Sequence, residues 1–346
     1  MNNQHQITKK HKLLDEKGQL IEAGYAKSLI LDYCRADIKA KGYRIKEWDY
    51  YYIGNSEHAI AFTIADNSYM ALISVTIFNF LEKWQITNTP MIPFTFGKLK
   101  LPESSSEGVT AFKNKKINIS FTNDGNVRKI LCDFKDFTKG KDLTADIILS
   151  EAPKDTMVIV TPFAEDKQAF YYNQKINNMR AKGKVTYNDI VYNYDTTDSM
   201  GVLDWGRGVW TYENTWYWGS MSIALPDGTP FGFNIGYGFG DTTAATENMV
   251  FYNGIANKLS RVDFVIPTKD GKDDFMSPWK FTSDDSRFEM DFTPILDRDS
   301  YANLLILKSI QHQVFGKFTG KAILDDGKVV EIKDAIGFAE KVYNKY

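Results

Sequence analysis

The sequence predicts an all-β protein built from two tandem antiparallel barrels or sandwiches with few short helices. Three observations carry that reading. Aromatic residues make up 14% of the chain, most of them Tyr and Phe, and this bias suits strands. Short alternating runs recur between Gly, Asn and Asp turn clusters, with no strand–helix–strand rhythm. A length of 346 residues exceeds one ordinary core, so two units are expected, residues 1–190 and 191–346.

Taken in order, residues 1 to about 20 are polar and predict a loosely ordered start. "GYAKSLILDYCRADIKAKGYRIK" places Leu29, Tyr33 and Ala36 near helical spacing and predicts a short helix. "EWDYYYIG", "HAIAFTIAD" and "SYMALISVTIFNF" then read as strands. "KINISFTNDGNVRKILCDF" reads as a hairpin around Asn-Asp-Gly-Asn. "LTADIILSEA" and "MVIVTPF" continue the series, and the polar, aromatic stretch 164–200 is expected to hold the domain junction. Beyond it, "WYWGSMSIALPDGTPFGFNIGYGFG" predicts a hairpin at Pro-Asp-Gly-Thr, and the last hairpin turns at Asp-Asp-Gly-Lys. The ending "GFAEKVYNKY" predicts a short helix.

Composition narrows the function classes. With 42 basic and 44 acidic residues, the chain has no global field to draw nucleic acid or an anionic membrane. The most apolar run, "YMALISVTIF", is too short and too alternating to span a bilayer. The N-terminus lacks the apolar stretch of a signal peptide. Cys34 and Cys132 predict free, buried thiols in a reducing compartment, hence a cytoplasmic protein. Four histidines show no metal-ligand spacing, and no phosphate loop or nucleophile elbow occurs. "GYGFG" lacks the spacing and the following helix of a dinucleotide site. No metal and no cofactor are expected.

The informative stretch is "LDWGRGVWTYENTWYWGS", residues 203–220, with four of the chain's seven tryptophans. In "FGFNIGYGFG", a strand period puts Phe231, Phe233, Ile235, Tyr237 and Phe239 on one face. Gly232, Asn234, Gly236, Gly238 and Gly240 fall on the other. Either indoles pack over that bare backbone, or glycines and tryptophans shape a pocket floor for a flat apolar ligand. Arg207 is expected to stack on an indole and pair with Asp204 or Glu247, or else to hold a ligand's polar head. Arg207, Trp210, Trp216, Trp218, Asn234 and Tyr237 are the candidate ligand contacts. Glu247, Asp204 and Asp241 are the candidate acids, Glu247 becoming one if an apolar wall raises its pKa and otherwise only tying down a turn.

These segments, "LDWGRGVW", "WYWGS", "GFNIGYGFGD", "TEN", "FGKFTG" and "GFAE", together with the N-terminal "LLDEKGQLIEAGYAKS" and "IKEWDYYYI", resemble domain-of-unknown-function family 2804 over nearly the whole chain. More distantly they are similar to the tandem lipocalin-like superfamily, with its carotenoid hydratases, tocopherol-cyclase-like enzymes, pericyclases and lipid-transfer proteins. The resemblance implies paired β-barrels and an apolar small-molecule partner, isoprenoid, lipid or polyketide-like. It supplies no catalytic residue. Cofactor-free, acid-assisted hydration or cyclisation is one reading. A non-catalytic lipid carrier is the alternative, and carbohydrate chemistry, needing two carboxylates about 5–9 Å apart, is a third.

Overall fold

Alternation of apolar and polar residues, with turn residues between, folds the chain into two antiparallel sheets. The structure is a computed structural model that describes residues 4–304 and 307–345. Strands make up 63% of it, and the sheets curl as half-barrels. The helical content among the described residues is two three-residue 3-10 turns, Arg35–Asp37 and Gly42–Arg44. No helix there is long and apolar enough to cross a membrane.

The first sheet runs in the order Trp84–Asn88, Met70–Asn79, His58–Asp66, Ile45–Gly54, Met200–Val209, Asp166–Tyr187, Lys141–Ser150, Arg128–Thr138, Ile117–Asn123, Gly108–Lys113. The second centres on Pro230–Tyr237, Glu213–Ala224, Val329–Lys345, Leu307–Ile323 and Phe288–Leu304. The expected hairpins form: Asn123 pairs with Arg128, Ala224 with Pro230 and Ile323 with Val329. The sheets change over between Val209 and Glu213. The strand carrying DWGRGVW therefore belongs to the first sheet and does not join the strands that follow residue 213.

Several local expectations are corrected. The helix around Leu29–Ala36 does not form; that segment bridges Lys12 to Asp32 and buries Leu31 and Tyr33 against the first sheet. Residues 4–20 are pinned rather than loose, because Ile7, Leu13 and Leu14 are buried in the same core. The stretch 164–200 is no junction: Asp166–Tyr187 is a 22-residue strand at the centre of the sheet. The terminal segment predicted as helix is strand over its described residues, 337–345, held by partners on both sides.

Each sheet wraps its own core. Ile53, Phe62, Ile64, Val75, Ile130 and Ile147 fill the first. Phe233, Trp279, Phe281, Phe292 and Phe318 fill the second. Two further apolar clusters join the sheets back to back, one around Tyr52, Phe78, Phe315 and Phe338 and one around Met157, Tyr171, Phe239 and Met249. Asn177 fastens the join, its amide donating to Ser220 Oγ at 2.9 Å and to the Phe233 carbonyl at 3.1 Å.

Candidate functional site

Between the two sheets, rather than inside either half-barrel, lies a cavity of about 610 Å³. Strand periodicity decides what enters it. Along Ile45–Gly54, Trp48 and Tyr50 line the cavity, while Tyr51 and Ile53 sit in the first core. Along Met200–Val209, Asp204 lines the cavity and Leu203, Trp205 and Val209 face the core. Gly206 is paired with Trp48, and a Cβ there would collide with the Trp48 indole. The glycine thus lets an indole lie flat on the sheet. That indole stacks on Tyr171 at 6.1 Å and meets Trp210 edge-on at 5.4 Å. Trp210 continues to Trp216 and Phe239, at 5.7 and 4.8 Å, and Tyr50 meets Trp218 at 5.9 Å.

Charge is concentrated on this aromatic wall. Lys175, 3% exposed, is in register with Asp204. Its ammonium lies 3.3 Å from Asp204 Oδ1, 3.8 Å from Glu247 Oε2 and 4.0 Å above the Trp218 ring. Asn173 donates to Asp204 at 2.6 Å. Asn234 accepts from the Trp218 indole N–H at 2.7 Å and donates to Glu247 Oε2 at 3.2 Å. Burial raises the Glu247 carboxyl above its ordinary range, opposed by the nearby Lys175 charge. Behind Glu247, burial pushes the Lys258 amine down to about 7.

The second sheet adds a carboxylate that sequence reading missed. Glu340, 5% exposed, receives the Trp216 indole N–H on Oε1 at 2.9 Å and the Gln313 amide on Oε2 at 3.0 Å. Both donors favour the ionised form, as do Lys175 and Arg298; burial outweighs them and pushes the carboxyl up to about 7. Arg298 donates to Gln313 Oε1 at 2.8 Å, completing a chain from guanidinium through amide to carboxyl. Among the described residues, Asp204, Glu247 and Glu340 share this wall with the cations Lys175 and Arg298, while Asp299 lines its exposed side and Lys258 stands behind Glu247. On the wall itself, a proton kept on one of the three inner carboxyls balances the two lining cations.

Of the sequence-derived candidates, Asp204, Glu247, Trp210, Trp216 and Trp218 line the cavity. The others lie elsewhere. Arg207 is wholly buried on the opposite face of its strand. It pairs with Asp49 at 3.0 Å instead of Asp204 or Glu247, donates to the Trp48, Gly206 and Pro102 carbonyls at 2.7–2.8 Å, and stacks on Trp205 at 4.3 Å. Two residues of separation from Trp205, and an odd number from Asp204, put it there. Asn234 stands one layer behind the wall, between Trp218 and Glu247. Tyr237 stacks on Tyr217 at 4.4 Å, against the second core. Asp241 accepts the Thr243 N–H in a turn. The bare face of the Pro230–Tyr237 strand takes Asn178 at Gly232 and the Glu247 carboxyl at Gly236, not indoles.

Besides Glu340, the missed residues are Trp48, Tyr50, Tyr171, Lys175, Arg298 and Gln313. The available signal was a lone charge at an inward position of a strand, as at Lys175 in "FYYNQKINN" and Glu340 in "GFAEKVYNK". Among the described residues, no group of three or more His, Cys, Asp or Glu side chains is placed to hold a metal ion.

Comparison with the curated proteins gives no match. Among solved structures, the chain is similar to a protein described as AttH from Nitrosomonas europaea. That match has a TM-score of 0.50 and 11% identity, covering 89% of this chain and 96% of the other. Kievitone hydratase from Nectria haematococca matches with a TM-score of 0.45 and 11% identity over 87% and 88% of the two chains. At this identity the first likeness speaks to the fold alone. The family described as domain of unknown function DUF2804 matches residues 4–346, and the chain belongs to that family.

Proposed function

We propose that the cavity between the sheets binds an apolar small molecule, isoprenoid, lipid or polyketide-like, and that a buried carboxyl in it acts as a proton donor in cofactor-free hydration or cyclisation. The observation that carries the reading is Glu340: a carboxyl poised near neutrality, at 5% exposure, beside the ring of Trp216 in an aromatic chamber. An acid with a pKa near the working pH is the kind that transfers protons in both directions. The indole faces of Trp48, Trp210, Trp216 and Trp218 stabilise developing positive charge and exclude water. Lys175 lies 3.3 Å from Asp204 and 3.8 Å from Glu247 on the same wall, and either carboxylate is placed to take a proton in return. The volume suits a drug-sized ligand.

The test pairs binding with turnover. Native mass spectrometry and solvent extraction identify what co-purifies. Isoprenoid and polyketide-like candidates are then incubated in ¹⁸O-water and scanned for label incorporation or cyclised isomers. The reading expects turnover by the wild type and binding without turnover by Glu340→Gln. Binding with no turnover by either protein makes the chain a carrier, and no binding by any apolar candidate ends the proposal.

A further inference from the structure

The chamber contains one cation whose partner is incomplete. Arg298 reaches the cavity because a β-bulge between Pro294 and Leu296 turns the following residues of its strand toward the first sheet. Phe288, Met290 and Phe292, before the bulge, fill the second core; Leu296, after it, joins the cluster between the sheets. Lys175 has two carboxylates within ion-pair distance. Arg298, among the described residues, forms no ion pair, and its guanidinium has five N–H donors of which the Gln313 oxygen takes one. With Arg298 on the cavity lining, the remaining donors are available to an acceptor on a ligand.

The same chain of hydrogen bonds fixes Glu340. Since Gln313 gives its oxygen to Arg298, it must turn its NH₂ to Glu340. Trp216 also presents a donor. Neither neighbour accepts a proton, so a protonated Glu340 offers its O–H to whatever occupies the chamber. A fixed cationic donor and a fixed proton donor on one wall are the parts needed to stabilise an enolate oxygen and protonate its α-carbon.

We propose that Arg298 is the oxyanion-holding group of this site and that the ligand is an α,β-unsaturated carbonyl compound, with Glu340 as the α-carbon acid. This rests on the small-molecule reading above. In the step, an O–H nucleophile, water or a hydroxyl of the same molecule, bonds to the β-carbon. The C=C pair shifts toward the carbonyl oxygen, which becomes an enolate on Arg298. The nucleophile's proton passes to Glu247 or Asp204. The enolate re-forms C=O as the α-carbon takes the Glu340 proton, and solvent returns the proton from one carboxyl to the other. Among the hydration and cyclisation steps that reading covers, protonation of an enolate carbon is the one best matched to a carboxyl poised near neutrality, which supports this choice.

Equilibrium dialysis compares trans-chalcone with trans-1,3-diphenylpropene, molecules of similar size in which a methylene replaces the carbonyl. The wild type should hold chalcone at least tenfold more tightly, with the bound C=O stretch displaced to lower frequency. Arg298→Met should bring the two probes within twofold of each other while diphenylpropene binding stays unchanged, and Arg298→Lys should keep part of the preference. Equal binding of both probes by the wild type, or a preference that survives Arg298→Met, overturns the assignment and leaves the cavity a ligand site. Failure of both probes to bind overturns the assignment together with the small-molecule reading. If Arg298→Met does not fold, the wild-type preference and the Arg298→Lys result decide.

Discussion

Glu340→Gln separates burial of a charge from loss of a hydrogen bond. The carboxyl is raised from 4.5 to about 7 in the folded chain, chiefly by burial. A raised carboxyl means the folded state holds more protons than the unfolded one between those values, so stability falls as pH rises through that window. At 1.36 kcal/mol per pH unit, the full loss is about 3 kcal/mol above pH 7, and roughly 2–3 kcal/mol of it develops between pH 5 and pH 8. Glutamine cannot ionise and carries none of this dependence. It does mismatch one of two donors, since Trp216 and Gln313 both offer N–H groups, a pH-independent cost of about 1 kcal/mol. Urea unfolding at pH 5 and pH 8 should therefore show the variant gaining roughly 2–3 kcal/mol on the wild type between the two conditions, whatever the offset. A stability difference that is the same at both pH values would refute the account of Glu340 as a strained, proton-holding carboxyl.

Arg207→Ala should cost about 3–5 kcal/mol in urea unfolding, the scale for stranding a buried partner such as Asp49, while trans-chalcone binding by the folded fraction stays unchanged; a weakened affinity at full stability would return Arg207 to the ligand site. Gly206→Ala should cost about 1–3 kcal/mol and shift tryptophan emission, because the added methyl displaces the Trp48 indole from the sheet; an unchanged spectrum contradicts the packing. In the native protein a thiol reagent should modify Cys34 and leave Cys132 untouched, since burial pushes the Cys132 thiol up to about 12 and encloses it, with both reacting in urea. Equal native reactivity of the two would place Cys132 outside the core.

How far the sequence could be read depended on what each signal measures. Turn chemistry is local, so Asn-Asp-Gly-Asn, Pro-Asp-Gly-Thr and Asp-Asp-Gly-Lys each marked a hairpin that forms. Apolar content is also local, and Phe231, Phe233 and Ile235 share a buried face as their spacing required. Helical spacing at Leu29, Tyr33 and Ala36 misled because burial against a sheet needs apolar residues but not a helix, and bridges to the N-terminal segment supplied the backbone partners. The cluster at residues 203–218 was found because tryptophan and glycine are rare neighbours. Its internal logic was not, since Arg207 and Asp204 differ by an odd number of residues and so belong to opposite faces. The partner of Arg207, Asp49, lies 158 positions away and carries no local sign of its role.

The site's own residues were hidden by a more specific device. Three long strands that build the cavity each carry a bulge, and each bulge exchanges the faces of the residues on its two sides. In Asp166–Tyr187, Phe170, Tyr172 and Ile176 face the first core, but beyond the irregularity at Ile176/Met179 the core residues are Met179, Ala181 and Val185. Val329–Lys345 buries Val330 and Ile332 in the second core, then Ala335 and Ala339, which frees Phe338 and Glu340 to face the other sheet. Phe288–Leu304 does the same for Arg298. A strand that kept one parity throughout would have sent Glu340 and Arg298 into the apolar interior of the second half-barrel, where neither has a partner. The bulges let one strand serve a dry core at one end and a charged, aromatic chamber at the other. They shift the pattern by a single residue, too little to be read without the partner strand. The cost of an uncompensated buried charge is what holds that register: a slip in any of the three strands would move Lys175, Arg298 or Glu340 out of the set that balances them.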